Sequence, residues 1–452
     1  MPPRNVPLVP GPPWLQVLRW VFSPVRYMQD CLQTHPDCFA TAISGRHADR
    51  IIFVQDPRIL QYLFAHDWRE LFAPGDGISA LEPLVGKSSV VTLEGEPHQR
   101  RRRLLLPPFH GERLHIYSEH IAQISRHEAS RQPLNTTFRA HHLTKQISLQ
   151  MIMQSVFGLE RGERFDEIRR LLTEVFDTFA SPWWSALLHD QRLQRNWGPW
   201  KTFLQRRDRL NVLLQAEISA RQADLDHNRT DVLSLLMAAR DDSGAAMTPL
   251  ELRDELITLL LAGLESTSTV MAWGLYWIHR EPEVRRRLLE ELAQVDRETP
   301  PSDLARLPYL TAVCQETLRI HPTAPFTFVR IPRADIELEG WRFPRGCRIA
   351  GCIYLLHQRG DLYPQPEQFR PERFLERKYT FSEFMPFGAG ARRCIGEALA
   401  MLEIKVALAT LLLNHEFALA DSRQERPRRR GIFLTPGRGV PIQITGPGRL
   451  SS

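Results

Sequence analysis

The most constraining feature of the chain is an unbroken, largely apolar stretch from Pro249 to about His279. Thr248-Pro249-Leu250-Glu251 opens it with three helix-start signals. A hydroxyl caps the first turn, a proline suits the first helical position, and a glutamate three residues on completes a capping box. No further proline precedes His279, so the spacing predicts a helix of roughly 30 residues, about 45 Å long. Apolar on most sides, such a helix has to run through the middle of a large molecule. The 452 residues suffice to wrap it.

Helical patterning also covers most of 96–240, and it returns over 282–295, 309–320 and 396–413. Strand signals are short: 50–54, 335–338, 341–343 and 347–352. The expected fold is mainly α with a small β portion, in one catalytic domain over 1–452. Its β-rich part lies near 30–65, the remainder is helical, and no reductase is fused to it. A net charge of +6 over this length is too mild to argue for nucleic acid. The proline-rich start has no apolar run that would make a signal peptide or anchor. Nor is any stretch read as reaching the ~20 apolar residues that cross a bilayer. Six scattered cysteines without a C-x-x-C pair argue against a disulfide scaffold or a zinc site, and a reducing cytoplasm is expected.

The segment that carries chemistry is Phe387-Gly388-Ala389-Gly390-Ala391-Arg392-Arg393-Cys394-Ile395-Gly396. Gly388 and Gly390 permit a tight turn beneath a flat ligand. Cys394 begins the last helix, where the helix dipole and nearby arginines favour thiolate. The segment fits F-x-x-G-x-R-x-C-x-G at every specified position, and on it the chain resembles the cytochrome P450 family. The resemblance implies a long central helix over a buried heme b, with Cys394 as axial iron ligand. An axial thiolate pushes electron density onto iron and favours O–O cleavage. Phe387, Gly390 and Gly396 would shape the heme cradle, and Arg392 would pair with a propionate.

Three further segments extend the resemblance. Ala262-Gly263-Leu264-Glu265-Ser266-Thr267 is similar to the family's oxygen-activation segment. Ala262 and Gly263 would leave room over the metal, while Glu265, Ser266 and Thr267 would handle protons. The family's usual threonine aligns with Ser266, which keeps the hydroxyl but loses the methyl that fixes its rotamer. Glu316 and Arg319 share a helix face, and the resemblance adds Arg373 to a buried structural cluster with them. His98 and Arg102, four residues apart, project from one face; by resemblance both reach heme propionates, as does Arg330. Arg100, Arg101 and Arg103 read as a solvated basic face, on which a small acidic electron carrier would dock.

The resemblance is closest to bacterial members that oxidise fatty acids, alkanes or terpenes. It implies a monooxygenase fed by ferredoxin and ferredoxin reductase or a similar donor. A peroxide-using or rearranging heme-thiolate enzyme and a non-catalytic heme sensor are the alternatives. Pocket walls are expected from 72–91, 170–205, 324–328 and 432–434, all mostly apolar, with Trp183, Trp184, Trp197 and Trp200 in the second. A hydrophobic substrate follows.

Overall fold

The computed structural model describes residues 3–43, 50–67, 69–73, 81–111, 113–158, 162–181, 198–223, 229 and 231–450. Its main helices are Pro13–Phe22 (α1), Pro24–Thr34 (α2), Pro57–Ala65 (α3), Gly95–Leu105 (α4), Arg113–Ser130 (α5) and Ala140–Phe157 (α6). They continue with Glu163–Phe179 (α7), Gly198–Ala223 (α8), Pro249–Arg280 (α9), Pro308–Ile320 (α10) and Glu397–Asn414 (α11). The fold is mainly α, as expected.

The proline-rich start is helical. Pro13 and Pro24 each open a helix, where the missing N–H costs nothing because first-turn donors lack intrahelical acceptors. The β-rich part near 30–65 is Cys38–Thr41 (β1) paired antiparallel with Ile51–Val54 (β2), framed by α2 and α3. β2 also pairs in parallel with Arg348–Gly351 (β3), tying the two ends of the chain together. Near the C-terminus Pro427–Arg430 (β4) and Phe433–Pro436 (β5) form a hairpin.

The central helix begins as the sequence predicts. Thr248 accepts from the Glu251 N–H, and Glu251 accepts from the Thr248 N–H at 2.8 Å, closing the capping box. α9 packs on α6, α10 and α11. Gly263 and Gly274 are notches for these contacts: a Cβ at Gly263 would lie 2.9 Å from Ile152 of α6, and one at Gly274 2.9 Å from Leu408 of α11. Gly263 therefore serves helix packing. This corrects the expectation that it leaves room over a metal.

A second correction concerns length and apolarity. α9 is long and apolar enough to cross a bilayer, contrary to the reading that no stretch is. Yet 78% of its most apolar window is buried inside the fold, as befits a core helix. Within that buried run Ala262 is exposed and Ser266 partly so, which marks where the core opens onto an internal space.

Candidate active site

The cysteine loop is set by two left-handed glycines, Gly388 at φ +68° and Gly390 at φ +65°, which an L side chain adopts only with strain. The turn closes when the Cys394 N–H donates to the Phe387 carbonyl at 3.0 Å and the Arg393 N–H to Gly390 at 3.1 Å. Gly390 is fixed for a second reason. A Cβ there would lie 2.2 Å from the Asp67 carboxylate. At Gly396, the N-cap of α11, a Cβ would meet nothing within 4 Å, so the helix start faces open space.

Cys394 is enclosed by protein, yet its surface is exposed to that space. Burial pushes its thiol up to about 11, while the Gly396 N–H, Arg102 and Arg393 pull the other way. The loop and its arginines thus favour thiolate, as expected from sequence, but against burial they do not secure it. A coordinated metal does so outright.

Cations converge around the same loop. His98 is buried and driven neutral, down to about 3, by burial and by Arg392, Arg102 and Arg330. Arg392 is lowered to about 10 by burial and by Arg330. Its guanidinium donates to the carbonyls of Val90 at 2.8 Å, Ala73 at 3.0 Å and Leu93 at 2.5 Å, and its Nε is buried with no acceptor among the described residues. Arg102 donates to the Arg393 carbonyl at 2.6 Å. Arg330 is bidentate on Asp67, at 2.5 and 2.9 Å. Asp67 also accepts the Ala391 N–H at 2.8 Å. Sequence reading missed Asp67; its only signal was the absence of a counterion for so many arginines.

Arg101 is a correction. It is buried, paired with Glu255 at 2.8 Å and with Glu251, so it belongs to the core and cannot form a solvated face. Arg100 and Arg103 do reach the surface, but Asp241 and Asp242 pair with them.

Three consecutive residues of α9 point three ways. The Ser266 hydroxyl donates to the Ala262 carbonyl at 2.6 Å on the open side. Glu265 is fully buried behind it, facing His141 at 3.5 Å, Lys145 at 3.4 Å and Arg430 at 3.5 Å. Its carboxylate accepts no hydrogen bond among the described residues. Asp177, half-exposed, holds Lys145 at 3.3 Å and also pairs with Arg430, which connects the acid to the surface. Thr267 faces elsewhere. It bonds the Gly263 carbonyl at 2.8 Å, Ser148 at 2.9 Å and the Glu403 carboxyl at 3.3 Å. The structure thus places Thr267 in a buried network away from the open space, which corrects its inclusion beside Ser266.

Beneath the loop, Glu316 accepts from Arg319 Nε at 2.7 Å and Nη2 at 2.8 Å, and from Arg373 Nε at 3.1 Å. The Arg370 N–H adds a fourth bond at 2.8 Å. The remaining guanidinium donors go to the carbonyls of His357, Gln368 and Pro364. The structure brings the three residues together with their polar atoms satisfied, as buried charges require. Of the tryptophans, Trp200 is buried against Phe203 in α8; Trp183, Trp184 and Trp197 lie outside the described residues.

A cysteine sulfur facing an enclosed space, a glycine that a side chain would fill, an orphaned Arg392 Nε and converging cations together fit one kind of ligand. It is flat, dianionic at one edge and carries a metal at its centre. The class so defined is a heme-thiolate protein. Comparison with known proteins carries this further. The cytochrome P450 family model matches residues 9–442. A Mycobacterium tuberculosis protein provisionally named cytochrome P450 135B1 is 31% identical over 441 residues, 97% of this chain and 91% of its own. A Mycobacterium bovis protein provisionally named cytochrome P450 138 is 31% identical over 443 residues, 96% and 95% of the two chains. Among solved structures, a cyanobacterial cytochrome P450 with retinoic acid bound superposes with a TM-score of 0.86 at 23% identity, covering 98% of this chain and 99% of that one. This chain belongs to the cytochrome P450 family: it is a monooxygenase that uses heme b.

Proposed function

We propose that the enzyme hydroxylates a hydrophobic small molecule, a fatty acid, alkane or terpenoid, using O2 and electrons from a separate ferredoxin-type carrier. Bound heme supplies the iron on which O2 is activated. Cys394 would hold it from below, while Arg392, Arg102, His98 and Arg330 would neutralise its carboxylates. The other work falls to side chains of this chain.

The observation that carries the reading is the pairing of Glu265 and Ser266. Activating O2 for insertion consumes two protons, and Ser266 and Glu265 stand beside the open space at Ala262. Ser266 Oγ, bonded to the Ala262 carbonyl, draws on a helix acceptor and can pass a proton at that point. Glu265, the residue before it, is a buried carboxylate facing Lys145 and Arg430, whose shared partner Asp177 reaches solvent. A sensor that only binds heme needs neither. The substrate class rests on the expected walls: Phe326 and Phe328, then Phe433 and Leu434 of β5, contribute no charged group. A carrier would dock on the cysteine side. Arg100 and Arg103, each already paired with an aspartate, would steer it only weakly.

A reduced, CO-bound spectrum tests the core of this. Cys394→Ser is expected to abolish the thiolate-type band, and Glu265→Gln to slow product formation while leaving the band intact. Turnover with ferredoxin, reductase and NADPH, but not with peroxide, is the result expected for a monooxygenase. Displacement of iron-bound water by fatty acids or terpenoids, and not by polar compounds, tests the substrate class.

A further inference from the structure

Helix α1 wears its polarity inside out. Its sequence, PWLQVLRWVF, buries Gln16 and Trp20 on the inner face. The Gln16 side chain is fully used there: it donates to the Val9 and Gly11 carbonyls at 3.1 Å and accepts from Thr41 at 3.0 Å, Ala42 N–H at 2.9 Å and Tyr27. The outer face carries Trp14 (64% exposed), Leu18 (45%) and Phe22 (62%), one turn apart, with Leu15 beside them and Leu8 just before. Among the described residues, five of the thirteen large hydrophobic side chains exposed to solvent thus fall within this one short segment. Single exposed apolar residues are ordinary, but a contiguous stripe marks a surface meant to be covered.

The charge around the stripe says what covers it. Arg4, Arg19 and Arg26 are the only charged residues before Asp30, and no acid precedes that position. Arg26 is exposed, and with Leu18, Phe22 and Ser23 it lines a shallow groove between α1 and α2, in which Arg19 pairs with Asp30 and Arg26 supplies the excess positive charge. Apolar side chains including tryptophan, bordered by arginine, on a short helix lying flat on the surface, match the interface of a bilayer carrying anionic headgroups. The stripe is also rigid, because Gln16 and Trp20 pin the helix to β1 and to Phe53 and Phe326, so docking orders nothing new.

We propose that α1 is a membrane-surface docking helix: Trp14, Leu18 and Phe22 enter the headgroup–acyl boundary and Arg26 meets lipid phosphate. The inner face of α1 touches Phe326 and, through Trp20, Arg429 of β4. Docking would therefore bring the bilayer beside 324–328 and the β4–β5 hairpin, whatever the substrate proves to be.

The test is cosedimentation of the heme-loaded full-length enzyme with vesicles of phosphatidylcholine containing phosphatidylglycerol, at low salt and millimolar lipid. The wild type is expected to pellet with them. Leu18→Asp/Phe22→Asp should bind at least about tenfold less, having exchanged two inserted side chains for charges. Arg26→Gln should bind about fivefold less to the anionic vesicles. Both variants alter exposed positions, and unchanged heme absorption will certify their folding. The proposal is overturned if the wild type stays in the supernatant, if the double aspartate variant binds as well, or if phosphatidylcholine alone binds equally. It is also overturned if sedimentation velocity without lipid shows a dimer that the aspartates dissociate, since a second copy of the chain would then be the occupant.

Discussion

Replacing Glu316 with glutamine keeps its size and removes its charge, leaving Arg319 and Arg373 buried without a counterion. Arg319 is fully buried and Arg373 is 2% exposed, so water cannot take over. Breaking a buried pair by removing one partner costs about 3–5 kcal/mol. Both arginines keep carbonyl acceptors at His357, Gln368 and Pro364, which argues for the lower end, ~3 kcal/mol. A 452-residue chain has a melting entropy near ~1 kcal/mol/K, so the Tm should fall by about 3 °C. Scanning calorimetry of the heme-loaded enzyme measures this, with heme release in dilute urea as a second readout. Adding Arg319→Met should recover part of the loss, because one of the two stranded charges disappears. A Tm within about 1 °C of wild type for Glu316→Gln, with no easier heme release, would refute the claim that this cluster braces the cysteine loop.

Three other substitutions test the site. Glu403 is fully enclosed, and burial raises its carboxyl to about 7 against two hydroxyl donors, Ser148 and Thr267. Its folded pKa lies above the unfolded one. The associated stability is therefore complete below about pH 4.5 and lost as pH rises through about 7, on the order of 3 kcal/mol by pH 9. Glu403→Gln should abolish that pH dependence in urea denaturation, and an unchanged slope would contradict it. Ser266→Ala should raise peroxide release per NADPH consumed, whereas Thr267→Val should cost about 1–3 kcal/mol of stability with coupling intact; the reverse pattern would return Thr267 to the pocket. Gly390→Ala must adopt a positive φ and displace the Asp67 carboxylate from 2.2 Å. It should lower heme retention at least several-fold, as judged by absorbance after gel filtration.

What the chain spelled out by itself were features contained within a few residues. The capping box at Thr248, the glycine turn before Cys394 and the Glu316–Arg319 pair are each decided by spacing along one helix or loop, and the structure holds all three in place. Helices α1 and α2, each opened by a proline, were not anticipated from the sequence. Tertiary structure alone decided direction and partnership. Successive residues of a helix point about 100° apart, so nothing local says whether Glu265, Ser266 or Thr267 faces the pocket. Glu403, far along the chain on α11, claims Thr267; Lys145 of α6 and Arg430 of β4 claim Glu265. Likewise Arg100, Arg101 and Arg103 look alike solvated until Glu255 of the central helix draws Arg101 into the core. Backbone geometry is a short-range property, whereas the partner of a charge is whichever distant group the packing delivers to it.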